Sequence, residues 1–85
     1  MDIVTIKSML NNSTWYSYEK NTSYEFFNGN SLSINGVNHL HYSIASQKDK
    51  IELQISSGIK YNVEFVNDFT LKLYNNNEAF RLMPE

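Results

Sequence analysis

The sequence predicts an all-β fold: a small antiparallel up-and-down meander barrel of about eight strands, closed or nearly closed, with a short N-terminal helix. Three features point to it. Apolar residues recur at every second position in Leu40, Tyr42 and Ile44, in Ile51, Leu53 and Ile55, in Tyr61, Val63 and Phe65, and in Phe69, Leu71 and Leu73. That period puts each set on one face of a strand. The segments between them, Gln47-Lys48-Asp49, Ser57-Gly58 and Asn67-Asp68, are short and polar, so successive strands return antiparallel. A sheet with one apolar face buries it by closing on itself, which also removes the unpaired edges. A sandwich would need longer loops to cross between sheets, and every connection here is tight.

At the N-terminus, Asp2 is placed to cap a helix whose Ile3, Ile6 and Leu10 share one stripe while Lys7 and Ser8 face away. Asn11-Asn12 ends it. A helix this short is not stable alone, so its stripe must dock, as a lid over one end of the curled sheet. Strands are then expected at residues 14–19, 22–27, 31–34 and 37–46. Lys20-Asn21 makes the first turn, and Asn28-Gly29 and Asn35-Gly36 are dipeptides suited to two-residue turns with positive φ at both centres. Three more strands run through Leu73, Asn75-Asn76-Asn77 turns the chain, and residues 78–83 form the last strand, with Pro84 expected to stop pairing.

The whole chain, residues 1–85, reads as one domain without a linker. With no cysteine, disulfides, thiolate metal sites and cysteine nucleophiles are excluded. A net charge of −2 with dispersed lysines offers no field to gather a polyanion, so nucleic acid is not expected as a partner. The first apolar run is broken by Thr5, Lys7 and Ser8, which predicts neither a signal peptide nor a membrane span, and hence a soluble, cytoplasmic chain with no membrane partner.

A short helix, then Ser13-Thr14-Trp15 leading into the first strand, then a meander whose last strand carries Arg81, resembles the lipocalin-like domains of many small bacterial proteins. That family has Gly-x-Trp at the start of its first strand, with a basic side chain from the last strand lying over the indole. Trp15 matches the tryptophan and Arg81 the base, while Ser13 stands in place of the glycine. The resemblance implies that Arg81 covers Trp15 where the barrel closes, and that a small apolar ligand binds inside.

Against that ligand stands geometry. An eight-stranded barrel is just wide enough to be filled by its own side chains or to hold one small ligand. Trp15, Tyr24, Phe26, Tyr42, Tyr61, Phe65, Phe69 and Phe80 all have inward parity. If a ligand does enter, Tyr24, Tyr42 and Tyr61 offer it the obvious polar handles of an apolar interior. If the interior is filled, the alternative is a protein-interaction module using an outward aromatic surface of Tyr16, Tyr18 and Phe27.

Chemistry is sparse elsewhere. His39 and His41 leave the same strand face and could share a metal, but their parity is outward and no third ligand is specified, so no metal is expected. No nucleophile elbow, metalloprotease helix or phosphate loop occurs, and serines are expected in turns and on outward positions. Glu52 and Glu64 have outward parity, where solvent leaves nothing to separate their pKa values for acid and base roles. Neither an enzyme nor a cofactor is expected.

Overall fold

The structure, a computed structural model, describes residues 3–48, 50–67 and 69–85. The expected cap Asp2 and the turn residues Asp49 and Asp68 lie outside the described residues. Helix α1 (Ile3–Asn11) is followed by β1 (Thr14–Ser17), β2 (Thr22–Phe27), β3 (Ser31–Ile34), β4 (Asn38–Gln47), β5 (Lys50–Ile55), β6 (Lys60–Asn67), β7 (Thr70–Tyr74) and β8 (Ala79–Pro84). Each strand pairs antiparallel with the next, and β8 returns to β1, so the sheet is a closed up-and-down barrel of eight strands. Among the described residues no helix is long and apolar enough to cross a membrane.

Alternation delivers the core. Tyr24, Phe26, Tyr42, Leu53, Tyr61 and Phe80 are buried, with Leu71, Leu73 and Leu82 between them. Rings touch across the interior: Phe26 meets Tyr42 edge to face at 5.1 Å, and Phe80 meets Tyr61 edge to face at 5.3 Å while stacking on Tyr24 at 6.0 Å. The stripe of α1 docks as expected, with Ile6 and Leu10 buried. Asn11 fixes the helix end. Its Nδ2 donates to the Tyr42 hydroxyl at 2.8 Å, and its Oδ1 accepts from the Gly29 amide at 3.3 Å, so α1 lies across the barrel end that carries the β2–β3 turn. The Trp15 indole Nε1 donates to the Leu10 carbonyl at 3.1 Å, satisfying an acceptor that the helix terminus would otherwise leave open.

Several expectations are corrected. Asn28, Gly29, Asn35 and Gly36 all have positive φ, a conformation that asparagine and glycine adopt at low cost. The loops are nonetheless three residues long, because Phe27 pairs with Ser31 and Ile34 with Asn38. Val37 therefore belongs to a turn and not to a strand. Phe69 is 72% exposed and not in the core. The register slips between Phe65 and Asn67, so Asn67 pairs with Thr70 and Phe69 falls in the connection. Pro84 does not stop pairing, since it stands opposite Trp15 and the Glu85 amide beyond it donates to the Thr14 carbonyl at 2.8 Å. Ser17 is buried, because it shares the inward parity of Trp15, and its Oγ accepts from the Lys20 amide at 3.2 Å.

Candidate functional site

At the end of the barrel opposite α1, two charged side chains lie over the aromatic interior. Because β8 pairs with β1, the β7–β8 turn stands beside the β1–β2 turn, and each sends one charged residue over the mouth. Glu78 comes from the first. Its placement is local: the Asn75 side-chain oxygen accepts from the Asn77 and Glu78 amides at 2.8 and 3.0 Å, a turn made by asparagine. Lys20 comes from the second, held by the bond from its amide to Ser17.

Lys20 Nζ lies 4.5 Å from the centroid of the Phe80 ring and 3.0 Å from Glu78 Oε1. The Tyr61 hydroxyl donates to the other oxygen, Oε2, at 2.8 Å. The Lys20 and Glu78 side chains remain 35% and 36% exposed, so the pair sits at the water boundary with an aromatic floor beneath it.

Each titratable group is held in one state. Bonds from Lys20 and then Tyr61 keep the Glu78 carboxyl below its usual 4.5. Partial burial works against the Lys20 charge, but Glu78 and Tyr24 together outweigh it and raise the pKa above 10.5. Burial raises Tyr24 despite the nearby lysine, and burial followed by donation to Glu78 raises Tyr61 further. A charged ammonium, an ionised carboxylate and two neutral phenols offer donors, an acceptor and ring faces. They are far from the near-neutral pKa that serves proton transfer.

Of the inward tyrosines expected to contact a ligand, the structure brings Tyr24 and Tyr61 together at this mouth, on either side of Phe80. Tyr42 is at the other end, against Phe26 and Asn11. The outward set also divides. Tyr16 and Tyr18 meet edge to face at 4.8 Å, Tyr18 is 72% exposed, and the Tyr16 hydroxyl donates to Asn21 Oδ1. Phe27 is not beside them. Tyr16 pairs with Ser23, four residues and about 13 Å along β2 from Phe27 at the rise of a strand, and Phe27 instead flanks a shallow depression with Asn11, Asn12 and Ser13.

Arg81 does not cover Trp15. Phe80 and Leu82 point inward, so Arg81 between them points out, 58% exposed, and its Nε donates to Glu19 Oε2 at 3.1 Å. Trp15 is inside and toward the helix end. Closure is made instead by the backbone pairing of β1 with β8. His39 and His41 are exposed, and among the described residues no group of three or more potential ligands could hold a metal.

Lys20 and Glu78 escape notice in the sequence because they are distant in the chain and belong to turns. The only signal that joins them is closure itself, which makes the first and last turns neighbours. Comparison with family models, curated proteins and solved structures finds no match to the chain.

Proposed function

We propose that the chain is a non-catalytic, lipocalin-like binding module that takes a small apolar ligand at the barrel mouth opposite α1. One observation carries this: Tyr24 and Tyr61 flank Phe80 at the end that the helix leaves uncovered, beneath two partly exposed side chains. Mouths of β-barrels are recurrent ligand sites, and ring faces with a few convergent polar groups are their usual lining. The ring contacts of the interior favour a ligand seated at the mouth over one enclosed deeply. A reducing, cytoplasmic setting fits a chain without cysteine.

The test is titration with N-phenylnaphthylamine, a neutral ring probe whose emission rises in apolar surroundings. Saturable enhancement, weakened by Tyr24→Ala and unchanged by Tyr16→Ser, is expected. No enhancement above a bulk-solvent control overturns ligand binding.

A second reading rests on a different observation, the edge-to-face pair of Tyr16 and Tyr18 on the outer wall, with Tyr18 largely exposed. Exposed tyrosines suit protein contact because they bring area at low entropy cost. A Tyr18→Ser variant that retains probe binding but loses a partner bound by the wild type would favour this surface.

A further inference from the structure

We propose that the ligand taken at the mouth carries an anionic group, and that Glu78 occupies the seat of that anion in the free protein as a built-in competitor. This rests on the mouth being a ligand site. The Glu78 carboxylate takes one bond from an ammonium at 3.0 Å and one from a phenol at 2.8 Å. Those are the two donors with which such a site would hold a foreign carboxylate or sulfonate.

Three features make Glu78 displaceable. It is anchored through a turn and not through a strand, its side chain is 36% exposed, and Lys20 faces it across the seam from a different turn. Beneath the pair lie Phe80, Tyr24 and Tyr61, ring surface that an apolar body attached to the anion could reach once the carboxylate swings out. Arg81 points to the outer wall, where Glu19 pairs it, so Lys20 is the cation placed over the ring floor, where an anion with an apolar body would meet it. The expected ligand is therefore a small monoanion with an apolar or aromatic body, and the neutral equivalent binds without the gain from Lys20.

Two probes of the same ring system separate the claims: anilinonaphthalene sulfonate, which carries the anion, and N-phenylnaphthylamine, which lacks it. Glu78→Gln keeps the size of the side chain while removing the competing charge. It is expected to tighten the anionic probe by about tenfold, the scale of one charge-assisted contact, with the neutral probe changed less than about twofold. Adding Lys20→Met to that variant should abolish the gain. Equal tightening of both probes, or none, overturns the competitor role while leaving ligand binding at the mouth intact. Failure of both probes on wild type and variants overturns the site itself. If Glu78→Gln melts without cooperativity, Lys20→Met alone decides: it must remove any preference of the protein for the anionic probe over the neutral one, and an unchanged preference overturns the proposal.

Discussion

The Glu19 carboxylate accepts the backbone amide of Arg81 at 3.3 Å and its guanidinium Nε at 3.1 Å, just where the β1–β8 ladder runs out. In antiparallel pairing the hydrogen-bonded pairs recur at every second residue. Glu85 bonds Thr14, Met83 faces Tyr16, and the next partner for Arg81 would be Tyr18. β1 has ended at Ser17 by then, and a side-chain carboxylate takes the place of the missing backbone acceptor. Glu19→Ala should therefore speed amide hydrogen exchange at Arg81 selectively, with Met83 unchanged. Arg81→Ala keeps the amide and should alter neither that protection nor Trp15 emission. A shifted Trp15 spectrum in Arg81→Ala would restore the contact that the family resemblance implied.

Leu53 is almost fully buried, paired with Ile44 on one side and Tyr61 on the other. Leu53→Ala should cost about 2–5 kcal/mol, since neighbours tied into two ladders cannot collapse into the hole. For a domain of this size that is a large share of its stability. Denaturant midpoints of the two proteins check it, and coincident midpoints would contradict the inward placement of Leu53.

Trp15 joins the helix to the barrel through one indole bond to the Leu10 carbonyl. Trp15→Phe keeps an aromatic ring but orphans that acceptor, at a cost of about 1–3 kcal/mol together with some loss of packing. Exchange in α1 should rise more than exchange in β5. Uniform loosening throughout the chain would contradict a specific clamp.

The pH dependence follows from the lids. Glu78 and Glu19 both have folded pKa values below the usual 4.5, held there chiefly by Lys20 and by Arg81 respectively. Their contribution is fully present above the unfolded value and is lost as pH falls through the folded one. Tyr24 and Tyr61, raised above 10.0 mainly by burial, contribute stability that is present below the unfolded value and lost as pH rises past it. Lys20, raised above 10.5, loses its contribution in the same direction. Tm should fall at both extremes, and Glu78→Gln should flatten the acid limb. An acid limb identical in the variant would contradict the role given to Glu78.

How much of this was legible follows from the range of the signals. Alternation is local, so the strands, the inward Tyr24, Tyr42 and Tyr61 and the docking stripe of α1 could be read along the chain. Closure could be argued from the one apolar face. Alternation misplaces Phe69 because it continues formally through a turn, and only the register slip at Phe65 to Asn67 shows that the strand has not begun. Parity alone groups Phe27 with Tyr16, because it gives the face but not the height along the barrel. The expectation for Arg81 rests on the resemblance and runs against the parity of Phe80 and Leu82. Lys20 and Glu78 needed three-dimensional adjacency, which no local period encodes.

Amide chemical-shift mapping of the protein titrated with N-phenylnaphthylamine tests the central claim most directly. Shifts concentrated at Lys20, Tyr24, Tyr61, Glu78 and Phe80, with α1 and Tyr42 unmoved, are the result expected of a ligand seated at the mouth. Shifts confined to Tyr16 and Tyr18, or gathered around Tyr42 and the helix, would contradict it.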